Sequence, residues 1–186
     1  GLCSLLCYGY DENWRFLELT DGGHFENLGV YELVRRRVGT IIVSDAGVDE
    51  DFKFGDLSNA IEKVRTDFGV SIRFSPEQVQ LNKLKPGSAQ NGDEAEHYNL
   101  AETGYIEGRI KYPKTEDSKG FDGRIFLIKT TMIKDLPADL YSYKARRNSF
   151  PDQPTSDQFF DEEQFEAYRE LGYRIADAMC KRCPWV

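Results

Sequence analysis

Apolar and polar side chains alternate with a period of about two across Arg15, Phe16, Leu17, Glu18, Leu19 and Thr20, as in a half-buried strand. The alternation stops at Asp21-Gly22-Gly23, a strong turn signal. Leu28, Tyr31 and Val34 then fall at helical spacing, and Arg35-Arg36-Arg37 place cations in the last helical turn, where the backbone dipole is negative. Gly39 ends that helix. The β-branched run Thr40-Ile41-Ile42-Val43-Ser44 lacks alternation and predicts a strand buried on both faces of a parallel sheet, ending at Asp45-Ala46-Gly47. Strand, helix and strand together read as a βαβ unit.

Asp56 is a candidate cap for the next helix, whose apolar positions are Leu57, Ile61, Val64 and Phe68; residues 70–74 resume as a strand. Residues 75–103 turn polar, softest at 87–94, and are expected to form a mobile surface loop. Two further strands are expected at 105–112 and 124–131, joined by a charged connector short enough for a hairpin-like link. The tail predicts a short helix over 138–147, a break at Pro151 and Pro154, and a last helix starting at Ser156 or Asp157. Its Phe160, Phe165, Tyr168, Leu171, Ile175 and Met179 are expected on one side, packed on the sheet. The reading is one α/β domain over 1–186, with a mainly parallel sheet flanked by helices.

Composition narrows the function classes. The chain has 186 residues, 40% hydrophobic and 30% charged, enough for one self-supporting core. Acidic residues outnumber basic ones 32 to 24, for a formal charge of -8, which argues against nucleic acid as a partner while leaving room for a local basic patch. No stretch approaches the roughly 20 apolar residues that cross a bilayer, and no leader pattern opens the chain, so a soluble, cytoplasmic protein is expected. The start at Gly1, without an initiator Met, suggests a piece of a larger protein. Cys3, Cys7, Cys180 and Cys183 would suit structural zinc if the termini met, but they read better as small apolar residues in a reducing compartment.

The candidate chemistry lies at the strand ends. In an open α/β sheet Asp21 and Asp45 would emerge on the same carboxyl edge, where ligands usually bind. Gly22 and Gly23 let the backbone turn sharply beside Asp21 and keep close approach open. From spacing alone, a plain turn accounts for these residues as well as a catalytic carboxylate does. His24 would join Asp21, Glu26 and Asp45 in a metal site or fix the loop through hydrogen bonds, and the second reading is preferred. Glu26 and Asn27 read as capping and loop-fixing residues, and Asp45 as structural, although a second carboxylate there would bear on Asp21. No metal and no cofactor is expected.

The longer string 19–33, from Leu19-Thr20-Asp21-Gly22-Gly23-His24 to Tyr31-Glu32-Leu33, with Ile42-Val43-Ser44-Asp45-Ala46-Gly47, resembles the C-terminal half of bacterial patatin-like phospholipase family proteins. Gly108-Arg109-Ile110-Lys111-Tyr112-Pro113, Phe150-Pro151 and much of the stretch 155–172 are similar to later parts of the same family. The resemblance implies the C-terminal portion of a patatin-like three-layer fold and a lipid acyl-ester hydrolase with a Ser-Asp dyad. Asp21 matches the dyad aspartate. The family's serine sits in a Gly-x-Ser-x-Gly elbow, after a glycine-rich oxyanion loop, and neither pattern occurs here. Both belong N-terminal to the Asp-Gly-Gly segment, so the resemblance places them in a preceding part of the polypeptide.

By itself, then, the chain should be catalytically silent, since a serine hydroxyl needs a base and its oxyanion needs preorganised donors. The expected partners are a lipid or other ester and the remaining N-terminal part of the same protein, with peripheral membrane contact for the whole. A sheet edge left open by that missing part would favour self-association. The other reading is a non-catalytic α/β interaction or scaffold module.

Overall fold

A computed structural model of the chain describes residues 21–90, 97–154 and 156–183. The strand expected at 15–20, and with it the first arm of the βαβ unit, lies outside the described residues, as do Cys3 and Cys7. A single 3-10 turn, Gly22–His24, is followed by α1 (Val30–Arg35), β1 (Thr40–Asp45), α2 (Gly55–Phe68), β2 (Ser71–Arg73), α3 (Glu77–Lys83), β3 (Tyr105–Tyr112), β4 (Phe121–Lys129), α4 (Ala138–Arg146) and α5 (Glu162–Arg182).

The strands form one open sheet in the order β1-β4-β3-β2. Its architecture is α/β, but the sheet is mixed rather than mainly parallel. β1 and β4 run parallel, whereas β4 pairs antiparallel with β3, and β3 with β2. For β3 and β4 the reason is the connector 113–120, which is long enough for a hairpin and too short for the crossover that parallel neighbours need.

One face of the sheet carries Ile41, Val43, Ile72, Ile106, Ile110, Ile125 and Leu127 against Val30 and Val34 of α1 and Leu57, Ala60 and Val64 of α2. The apolar spacing of α2 therefore packs as the sequence predicts, with Ile61 and Phe68 at the margin of the core. A second cluster joins Leu140 and Tyr143 of α4 to Leu171 and Ile175 of α5. On the opposite face of the sheet, Met179 and Cys183 close over Phe126. Cys183 is thus a core residue, while Cys180 is exposed on the same helix.

Several expectations are corrected. β1 is not buried on both faces: burial alternates along it, and Ile42 is 49% exposed. No described strand pairs with its outer edge. The stretch 75–103 contains α3 and buries Leu84, Leu100 and Ala101. Phe54, not Asp56, is the N-cap of α2, and Asp56 lies in the first turn, where the helix dipole favours a carboxylate. α5 starts at Glu162 because the Asp161 carboxylate accepts from the Gln164 amide at 2.7 Å. That start turns Gln164, Ala167, Leu171, Ile175 and Met179 inward and leaves Phe165 62% exposed, so the buried stripe is displaced from the one the aromatics suggested.

Candidate functional site at the carboxyl end of β1

Asp21 is exposed and caps the Gly22–His24 turn, its Oδ1 accepting from the Gly23 amide at 3.0 Å. This is the local bond that makes aspartate a turn residue, and it fixes the direction of the carboxylate. Gly23 leaves room for a neighbouring side chain: a Cβ on it would lie 2.5 Å from Asn27 Oδ1, which would have to shift, and 3.5 Å from Asp21 Oδ1. A Cβ on Gly22 would meet no described residue within 4 Å. The His24 backbone amide donates to Asp21 O at 3.1 Å, while its exposed imidazole makes no hydrogen bond to a described residue. The loop is held by the His24 main chain rather than by its side chain.

The segment after the turn is pinned to α2 by one stripe of polar residues. Asn27 Nδ2 donates to Asp56 Oδ2 at 3.2 Å, Asn59 Nδ2 donates to Phe25 O at 2.9 Å, and the Lys63 ammonium sits 4.2 Å from the centre of the Phe25 ring. Residues 56, 59 and 63 are spaced by three and four, so they share a helix face. Glu26 caps α1, its two carboxylate oxygens accepting from the amides of Leu28 and Tyr31. The capping and loop-fixing roles read from the sequence for Glu26 and Asn27 are those observed.

Asp45 ends β1 but is buried, 6% exposed, and its Oδ1 takes the Lys129 ammonium at 3.2 Å and the Gly47 amide at 3.0 Å. Lys129, 1% exposed, also donates to Gly47 O at 2.6 Å. Asp45 is therefore engaged as a structural residue. A Cβ on Gly47 would sit 3.3 Å from Asp45 Oδ1 and 3.7 Å from Asp56 Oδ2, so both carboxylates flank this glycine. No hydrogen bond joins Asp21 to Asp45; Asn27, Asp56 and Gly47 are the neighbours that link their surroundings. Among the described residues, no group of three or more His, Cys, Asp and Glu side chains is placed to hold a metal ion.

The loop after Asp45 is strained. Phe52 and Phe54 adopt left-handed backbone conformations, φ 49° and 55°, which cost bulky residues energy. Burial of both rings and the Asp49 carboxylate, which accepts from the amides of Lys53 and Phe54 at 2.9 and 2.7 Å, hold that conformation. Beside it, a cavity of about 290 Å³ opens at the end of β4, lined by Thr130, Thr131, Lys144 and Asp152 among others. Thr130 Oγ1, Thr131 Oγ1 and Asp152 Oδ2 are buried there without a hydrogen-bond partner among the described residues. Desolvation lowers the pKa of the neighbouring Lys144 ammonium.

The residues that the sequence reading missed are Lys129, Asn59 and Lys63. A signal existed for Lys129, which continues the inward parity of Ile125 and Leu127 and so demanded a buried acid. No helix of the described residues is long and apolar enough to cross a membrane. Comparison with family models, with curated proteins and with solved structures finds no match to the chain.

Proposed function

We propose that this chain is the aspartate-bearing C-terminal portion of a patatin-like serine acyl hydrolase, with the three-layer fold of that family, and that Asp21 is the base of its Ser-Asp dyad. The observation that carries the reading is the contrast between two carboxylates, Asp45 at the end of β1 and Asp21 at the start of the Gly22–His24 turn. Asp45 is buried and neutralised by Lys129, whereas Asp21 is exposed, oriented through one oxygen by Gly23 and accepting from no described side chain.

In this reading the nucleophilic serine and the oxyanion donors come from polypeptide preceding Gly1. Asp21 takes the serine proton as the serine oxygen bonds to the ester carbonyl carbon, and the backbone donors hold the resulting oxyanion. Collapse of the tetrahedral intermediate breaks the ester C–O bond, and the proton passes from Asp21 to the departing alkoxide. Water, deprotonated by the same carboxylate, then adds to the acyl-serine carbonyl carbon; collapse breaks the bond to the serine oxygen, which takes the proton back from Asp21, and the carboxylic acid is released. The exposed face of β1, with Ile42 and Ser44 outward, offers a surface on which the preceding part can pack.

The test is ester release by the intact protein before and after Asp21→Asn, which preserves an acceptor for Gly23. Turnover should fall by a factor of about 10² or more with an unchanged thermal midpoint. Undiminished turnover in the folded variant removes Asp21 from the mechanism. One observation also favours the non-catalytic module: the Asp21–Gly23 bond is what any aspartate turn needs. The coding sequence upstream of Gly1 separates the two readings, because the hydrolase requires a Gly-x-Ser-x-Gly segment after a glycine-rich loop.

A further inference from the structure

The second face of the sheet carries a charge arrangement that packing does not explain. Strand register places Arg73 of β2 directly opposite Arg109 of β3, and Arg109 opposite Arg124 of β4. Opposed like charges on neighbouring strands destabilise a sheet. Arg124 is relieved, since its Nε donates to Glu107 Oε1 at 2.8 Å and its guanidinium lies 4.9 Å from the centre of the Phe126 ring. Arg73 and Arg109 are exposed and form no ion pair with a described residue. They line an open groove of about 730 Å³ together with Ser71, Ser75, Gln80 and Lys111, and with the carboxylates Glu107, which Arg124 engages, and Asp122, which lies opposite Lys111 in the strand register. All this lies on a chain whose formal charge is -8.

We propose that this groove is a binding site for a small, soluble phosphate ester, clamped by the Arg73 and Arg109 guanidiniums. Each guanidinium presents forked donors that fit an oxyanion edge, and two side by side can engage a phosphate through different oxygens. Lys111 faces Asp122 across the strands and so balances that carboxylate, leaving Arg73 and Arg109 as the cations for the phosphate, and the Ser71 and Ser75 hydroxyls supply neutral donors along the rim. A phosphate group fills a small part of the volume, and the remainder accommodates its organic substituent. The site is separate from Asp21: it lies level with Arg124, five residues along β4 from Lys129, or about 17 Å. The proposal does not depend on the hydrolase reading.

Glycerol phosphate is the probe, titrated calorimetrically into the intact protein and compared with chloride at equal ionic strength. Wild type should bind it and gain thermal stability, and Arg109→Gln and Arg73→Gln should each weaken binding at least tenfold. In the ligand-free protein both substitutions should raise the thermal midpoint, because they remove the opposed charges. Arg109→Lys, which keeps the charge and loses the fork, should bind with intermediate affinity, and Arg147→Gln, at an exposed arginine outside the groove, should bind as wild type does. Absence of a response in wild type, or an equal response in Arg109→Gln, overturns the proposal. So does retention on phosphatidylglycerol vesicles without a response to glycerol phosphate, which would make the face a membrane surface instead.

Discussion

Replacing Lys129 by Met puts the largest predicted burden on this fold. The ammonium lies 3.2 Å from Asp45 Oδ1, with the two side chains 2% and 6% exposed. At that separation and an effective dielectric of about 20, the attraction is about 5 kcal/mol, offset by a desolvation cost of several kcal/mol per ion, so the intact pair contributes little net stability. Removing one partner is different, because Asp45 stays in place. Its Oδ1 keeps the Gly47 amide at 3.0 Å, one donor for a buried carboxylate. Gly47 O loses its 2.6 Å ammonium bond at the same time. The expected cost is about 3–4 kcal/mol, within the range for broken buried pairs. With a urea m-value of about 2 kcal/mol/M, the unfolding midpoint followed by far-UV circular dichroism should fall by about 1.5–2 M. The double variant Asp45→Asn/Lys129→Met, which strands no charge, should recover about 2 kcal/mol of that loss. A Lys129→Met midpoint within about 0.5 M of wild type, or a double variant worse than the summed singles, refutes the reasoning.

Two further outcomes follow from individual contacts. A Cβ added at Gly104 would meet Ile175 side-chain atoms at 2.5, 2.6 and 2.8 Å, and Ile175 is fully buried, so Gly104→Ala should destabilise by about 1–3 kcal/mol in the same assay, with partial recovery on adding Ile175→Val. Hydrogen bonds from Arg35 and Arg36 lower the Glu32 carboxyl from 4.5 to about 2. Because the folded value is the depressed one, its stabilising contribution is fully present above pH 4.5 and is lost as the pH falls through about 2. Carboxyl NMR should show Glu32 titrating near that lower value in wild type and returning toward the ordinary range in Arg35→Gln/Arg36→Gln; a wild-type midpoint near pH 4 contradicts the geometry.

Local patterns were legible where one face of an element decides its fate. β3 occupies the expected residues 105–112 because strict alternation puts Ile106, Ile110 and Tyr112 inward, and α2 follows its apolar spacing. Pairing across long separations was not legible: nothing local to residues 40–45 says that they will lie parallel to 124–129. α3 escaped notice because its residues are mostly polar, and its C-terminal end is anchored by the buried Leu84. In α5 the aromatic residues outweighed the cap in the reading, whereas the Asp161 bond to Gln164 fixes the helical phase and turns Gln164 inward. At the candidate site, the Asp-Gly-Gly turn and the Glu26 cap were readable as local chemistry. The Lys129 partnership was not, since it spans 84 positions.

The Asp45–Lys129 pair does something that a well-packed apolar pair of the same volume would not. An apolar replacement would fill the core at least as favourably, yet it would release Gly47 O, which the ammonium holds. Gly47 lies against both Asp45 and Asp56, and Asp56 in turn receives Asn27 of the loop that begins at Asp21. Asn59 and Lys63, on the same face of α2, grip Phe25 of that loop. A series of neighbours thus leads from the buried ion pair through Gly47 and α2 to the loop that carries the exposed carboxylate. If Asp21 serves as a base, this is where its aim is set. Substitution at Lys129 should then lower ester turnover by more than the folded fraction accounts for, whereas Arg109→Gln in β3, on the other face of the sheet and opposite Arg124, should leave turnover per folded molecule unchanged.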